Sequence, residues 1–86
     1  MYVVYAGSYT IEENAINQAM NLFKAGYDVI CTKLNRYYRL QVGEFKNYNN
    51  AQNFKEELIN KGFPAFVDMY DERKSNSWQL TYLTQN

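Results

Sequence analysis

The chain has 86 residues, enough for one domain, with 47% hydrophobic, 17% aromatic and 21% charged residues. Nine basic and nine acidic residues cancel to a formal net charge of zero, which argues against a general nucleic-acid binder. Histidine is absent and Cys31 is the single cysteine, which excludes His-based catalysis, His metal sites, an internal disulfide and a thiolate metal cluster.

Residues 2–6 (Tyr-Val-Val-Tyr-Ala) are β-branched and aromatic, the composition of a first strand. Gly7-Ser8 is expected to break that strand in a turn, with the glycine at positive φ. Thr10 and Glu13 fit a capping box that opens a helix, with Glu12 and Glu13 in its first turn and Lys24 in its last. Ala15, Ala19, Leu22 and Phe23 are its expected buried stripe, and Gly26 its left-handed stop. Residues 27–33 read as a second strand, and Leu34-Asn35-Arg36 turns into a third, Tyr37–Val42. Gly43 is then a second turn glycine and Asn47 the cap of a second helix, with Ala51, Phe54, Leu58 and Ile59 buried. Gly62 ends that helix, and Pro64 opens a fourth strand, whose interior it would disrupt.

The two halves repeat. A shift of 36 residues places Gly7 on Gly43, Ala15 on Ala51, Leu22 on Leu58 and Gly26 on Gly62, with Tyr9 on Phe45 and Tyr27 on Phe63 as conservative matches. The element order is βαββαβ. Right-handed crossovers place the first and third strands at the centre of a four-stranded antiparallel sheet with both helices on one face. The fold class is therefore α+β, a ferredoxin-like sandwich over residues 1–70. Residues 71–86 form a C-terminal extension: the charged run Asp71-Glu72-Arg73-Lys74 reads as a solvated loop. Trp78-Gln79-Leu80-Thr81-Tyr82 alternates apolar and polar, which predicts an extra strand at about 78–82, paired with the fourth.

One sheet face is left uncovered by this arrangement. Alternation sends Tyr2, Val4 and Ala6, Tyr27, Val29 and Cys31, and Tyr38, Leu40 and Val42 toward the helices. Tyr5, Ile30, Tyr37, Arg39, Gln41 and Phe66 then share the opposite surface, as a platform for a flat polymer. Cys31 reads as a small buried hydrophobe. Glu44 and Asp68 are lone carboxylates with no evident partner, so no catalytic residue, metal ligand or cofactor site is expected. No apolar run reaches the ~20 residues of a membrane span, and no signal peptide is evident. A protein acting outside the cytoplasm would have been cut from a longer exported chain.

The motifs Val-Tyr-Ala-Gly-Ser-Tyr (4–9), Asn-Ala (14–15), Ala-Gly-Tyr-Asp (25–28) and Tyr-Tyr-Arg-Leu-Gln-Val-Gly-Glu-Phe (37–45), with Ala51 and Lys61-Gly62-Phe63, resemble a SPOR domain. The resemblance covers residues 2–67. It implies the same βαββαβ fold and a module that binds septal or remodelled peptidoglycan, preferring glycan strands denuded of stem peptides. It also implies glycan contact through the open sheet face and the turn after the first strand, carried over to Ser8, Tyr37, Arg39 and Phe66. Tyr5 stands where many members have Gln, and Glu44 where many have Pro.

Together these readings predict a non-catalytic peptidoglycan-binding module that targets an attached wall hydrolase, such as an amidase, or a division or sporulation protein to the wall or septum. Tyr37 and Phe66 would cover sugar rings while Ser8, Arg39 and Gln41 hydrogen-bond to hydroxyls and N-acetyl groups. One alternative is a single-stranded RNA binder of RRM type, in which sheet aromatics stack bases. The third strand lacks the RRM aromatic motif, and zero net charge gives no phosphate steering. A second alternative is a protein-interaction scaffold that uses the tail strand for edge pairing.

Overall fold

The computed structural model describes residues 1–69 and 79–80. The charged run 71–74, Trp78, Thr81 and Tyr82 lie outside the described residues. The elements are β1 (Tyr2–Tyr9), α1 (Glu12–Lys24), β2 (Ile30–Leu34), β3 (Tyr37–Phe45), α2 (Tyr48–Asn60), β4 (Phe66–Met69) and β5 (Gln79–Leu80). The sheet is antiparallel throughout, in the order β4-β1-β3-β2-β5. The expected α+β sandwich is present, with the fifth strand.

The two glycines expected to end strands lie inside them. β1 and β3 run in register from Tyr2↔Phe45 to Val4↔Gly43, shift at Tyr5↔Gln41, and shift back at Ser8↔Arg39. An extra residue therefore sits on β3 at Val42 and another on β1 at Ala6-Gly7, a pair of compensating bulges. Gly7 takes φ +128°, whereas Gly43 has no positive φ, contrary to expectation. What both positions share is a folded-back aromatic. A Cβ on Gly7 would lie 2.6 Å from the Tyr9 ring, and one on Gly43 2.9 Å from the Phe45 ring. Each bulge also reverses the alternation, so Tyr9 and Phe45 pack against the core although their parity would send them outward.

The sheet carries the duplication in its hydrogen bonding. The β2–β3 pairs Ile30↔Gln41, Cys31↔Leu40, Thr32↔Arg39 and Lys33↔Tyr38 become, on moving each residue by 36 positions, Phe66↔Tyr5, Val67↔Val4, Asp68↔Val3 and Met69↔Tyr2, which are the β4–β1 pairs. Tyr5↔Gln41 maps onto itself. A pseudo-two-fold axis thus passes through the sheet between Tyr5 and Gln41.

The core lies between the sheet and the helices, with Leu22, Leu40 and Leu58 fully buried; truncating any of them to Ala would cost about 2–5 kcal/mol. Ala15, Ala19 and Leu22 form the buried stripe of α1, and Ala51 and Leu58 that of α2. Phe23 and Ile59, expected in these stripes, are exposed. They are equivalent across the repeat, and each sits one residue beyond the contact line, about 100° further round the helix. Asn47 caps α2 as expected, its side chain accepting from the backbone N–H of Asn49 and Asn50 at 2.8 and 3.3 Å. Thr10 does not cap α1. That helix starts one residue later, behind Ile11, with no side-chain cap.

Gly26 and Gly62 leave their helices at φ +99° and +93°. Beyond Gly26, Tyr27 and Val29 are buried and Asp28 is exposed, but none of the three is paired, so β2 begins later than expected. Its pairing starts at Ile30↔Gln41, where the β3 bulge lets the two strands meet. Tyr27 instead donates its hydroxyl to Glu57 Oε2 at 2.6 Å, tying the first half to α2. The β2–β3 hairpin closes through Asn35-Arg36, with Asn35 at φ +57°, the left-handed region that asparagine tolerates.

β5 corrects the expected tail pairing. Cys31↔Leu80 and Thr32↔Gln79 join it to β2, at the edge opposite β4. Four strand spacings separate β4 from β5, roughly 19 Å. Residues 70–78 can span well beyond that at ~3.3 Å per residue, so proximity in sequence to β4 did not decide the partner.

Candidate functional site

Directly opposed residues of an antiparallel pair project from the same face, so the outer surface can be read in rows. One row is Phe66–Tyr5–Gln41–Ile30, and the next is Ser8–Arg39–Thr32. Ser8 reaches this face because of the Gly7 bulge; by simple alternation from Tyr2 it would face the helices. All seven expected site residues, Tyr5, Ser8, Ile30, Tyr37, Arg39, Gln41 and Phe66, therefore lie on one surface.

They are not equally associated. Tyr5 and Phe66 stack with ring centroids 5.2 Å apart and planes at 26°. The Arg39 guanidinium sits over both rings, 5.6 Å from Tyr5 and 5.8 Å from Phe66. Such cation–π contacts contribute about 0.5–1 kcal/mol each at exposed sites. Arg39 Nη1 also donates to Asp68 Oδ2 at 3.4 Å. Tyr37 stands apart, opposite Leu34 where β3 begins, and is exposed.

The surface is less open than alternation implies. Val3 is fully buried, and Tyr5 and Gln41 are 9% and 8% exposed. Gln41 Nε2 donates to Glu44 Oε1 at 2.8 Å. Glu44 and Asp68, expected to be solitary, are thus both engaged by the platform. Engagement by Gln41 and Arg39 fixes the two carboxylates without pairing them with one another, since Asp68↔Val3↔Glu44 places Val3 between them.

Two polar atoms of the Arg39 row, Arg39 Nε and Thr32 Oγ1, are buried and have no hydrogen-bond partner among the described residues. They belong to directly opposed residues. A buried donor left unmatched costs ~1–3 kcal/mol, so the pair marks a place where a polar group from outside would be welcome. Thr32 and Asp68 were not among the expected site residues. Their signal is the same period-two alternation that placed Ile30 and Phe66 on this face.

Cys31 lies on the other side of the sheet, buried, and its thiol is pushed up to about 11 by burial and by the nearby Glu12 carboxylate. Among the described residues no cluster of acidic, Cys or His side chains could hold a metal ion. Among them, no helix is long and apolar enough to cross a membrane.

This architecture has a solved counterpart. The chain is similar to the peptidoglycan binding domain of the B. subtilis cell wall lytic enzyme CwlC, with 30% sequence identity and a TM-score of 0.70 over 81% of this chain and 89% of that one. No curated protein matches the sequence. The SPOR domain family model matches residues 34–82, so the family pattern extends into the tail, beyond the resemblance over residues 2–67, and takes in β5. With more than half its length matched and the fold shared, the chain belongs to the SPOR domain family.

Proposed function

We infer that this chain is a non-catalytic module that binds the glycan strands of peptidoglycan through the outer face of its sheet. The observation that carries this reading is Arg39, held over the Tyr5–Phe66 stack, with its buried Nε and the Oγ1 of the opposed Thr32 both lacking a hydrogen-bond partner among the described residues. The half-buried Phe66, braced by the buried Tyr5 ring, leaves an apolar edge of the kind a pyranose ring covers. Arg39, Thr32 and Ser8 present hydrogen-bonding groups along its rim, where hydroxyls and N-acetyl carbonyls can be matched. Tyr37 extends the aromatic surface along β3. The similarity to the CwlC domain supports the same ligand class. Binding is modest in affinity, because a shallow face buries little area and each displaced hydroxyl must be matched.

The module acts outside the cytoplasm, at the wall or septum, and delivers an attached hydrolase or division protein there. Its preferred target is glycan denuded of stem peptides, since a peptide branching from the sugar would obstruct close approach to a sheet face. Sedimentation with purified sacculi, with and without prior amidase treatment, tests this: the treated sacculi should retain several-fold more protein. Equal retention by both would contradict the preference for denuded glycan, and none by either would contradict the reading itself.

A further inference from the structure

The two edges of the sheet are equivalent by the repeat but not equally covered. On one, Cys31 and Thr32 of β2 pair with Leu80 and Gln79 of β5. Their counterparts 36 residues on are Val67 and Asp68 of β4. Among the described residues, β1 alone pairs with β4. β5 thus shows that an added strand fits an edge of this kind.

The backbone groups that β4 offers follow from the β2–β3 hairpin. Its two-residue turn makes Leu34↔Tyr37 a hydrogen-bonded pair, and such pairs alternate along an antiparallel ladder. Ile30 and Thr32 therefore bond to β3, whereas Cys31 and Lys33 point their N–H and C=O away from it. Shifted by 36, Phe66 and Asp68 bond to β1, and Val67 and Met69 point outward. The Met69 N–H accordingly donates to Asp68 Oδ1, at 2.8 Å. Val67 keeps an outward N–H and an outward C=O, the two groups that a hydrogen-bonded pair exchanges.

A charge on an edge strand normally deters pairing, but Asp68 is already engaged. Its Oδ1 holds the Met69 N–H and its Oδ2 accepts from Arg39. The helix side of the same edge is apolar. Val67 and Ala65 pack at the margin of the core, and Met69, opposite Tyr2, is 63% exposed. Tyr48, edge-on to Tyr2 at 5.3 Å, is exposed beside them.

β4 is complementary to itself. Setting Val67 against Val67 of a second copy opposes Asp68 to Phe66 on the outer face and Met69 to Ala65 on the helix side. No carboxylate meets a carboxylate, and apolar rows meet one another. The formal net charge of zero sets up no repulsion between copies.

We propose that two copies of this chain join edge to edge through antiparallel β4 pairing centred on Val67, an isologous contact about a two-fold axis perpendicular to the sheet. The contact is small, so it forms where the local concentration is high. Both outer faces then lie on the same side of one continuous sheet, and on the glycan reading the pair gains avidity at the wall. The pairing itself does not rest on that reading.

Sedimentation equilibrium of the full chain, with no glycan present, tests it. The mean mass should rise from one chain toward two between micromolar and millimolar protein, and no further. Over the same range, amide chemical shifts should move at residues 65–69 and stay fixed in β2 and β5. Met69→Lys, at an exposed position, should keep the melting temperature and weaken association at least several-fold. Val67→Pro, which removes the outward N–H, should abolish association; if that variant fails to fold, the parent's shifts and Met69→Lys decide. A mass that stays at one chain at millimolar protein overturns the proposal, as does growth beyond two. Shifts that move at Gln79–Leu80 or on α1 instead, or a Met69→Lys variant that associates like the parent, overturn it as well. None of these outcomes touches the glycan reading, which sacculus sedimentation tests separately.

Discussion

Arg39 serves two arrangements at once, since its guanidinium covers the Tyr5 and Phe66 rings and pairs with Asp68. The Asp68 pair is solvent-exposed and contributes little to stability. Arg39→Ala should consequently lower stability by no more than about 1–2 kcal/mol while weakening glycan binding several-fold, measured by thermal melting and sacculus sedimentation. Tyr5 behaves differently because it is 9% exposed and stacked: Tyr5→Ala should cost at least ~2 kcal/mol, as loss of a buried aromatic does. Tyr37 is exposed, so Tyr37→Ala should leave the melting temperature unchanged and reduce binding less than Arg39→Ala. Cys31 offers a pH test of the core. Its folded-state thiol is raised to about 11, above the ~8.5 of an unfolded thiol. The fold therefore favours the neutral form: stability is unaffected below the unfolded value and declines as pH rises from there through about 11. Thiol-specific labelling at pH 8 should proceed only at the rate of unfolding, whereas rapid labelling of the native protein would show Cys31 to be accessible.

Element by element, the sequence was most legible where one residue acts through a local rule. Asn47, Gly26 and Gly62 do what their types suggest, and alternation placed Tyr5, Ile30, Tyr37, Arg39, Gln41 and Phe66 on one face, whereas Ser8 reaches it only through the bulge. The failures come from tertiary context. Gly7 and Gly43 look like strand ends because glycine usually breaks strands, yet here they admit aromatic rings folding back from Tyr9 and Phe45. Thr10 satisfies a cap pattern that the chain uses one residue too late. This difference is measurable: Asn47→Ala should cost about 1 kcal/mol, as loss of a working N-cap does, and Thr10→Ala no more than a few tenths. Gly7→Ala should be more damaging than Gly43→Ala, because only Gly7 combines a positive φ with the ring contact. Denaturant melts of the four variants rank them; equal effects at Gly7 and Gly43 would show that ring crowding alone governs both sites.

At the scale of the whole molecule, two βαβ halves share one sheet about a pseudo-two-fold axis, and β5 breaks that symmetry by covering the β2 edge. The partner of the tail was not legible, because period-two alternation identifies a strand but not the edge it joins. Truncation before Gln79 should accelerate amide hydrogen exchange in β2 more than in β4; the reverse order would place the tail on the other edge. Zero net charge gives a further expectation. Binding to glycan should change less than several-fold between about 50 and 200 mM salt, where a protein making many phosphate contacts loses ~10³-fold or more. The central claim is that the Arg39 face is what holds the glycan. Its most direct test is sedimentation of the parent protein and of Arg39→Ala with amidase-treated sacculi, after melting curves have shown both to be folded. The account predicts that the parent sediments and the variant remains largely in solution, whereas equal sedimentation of the two would place the binding surface elsewhere on the molecule.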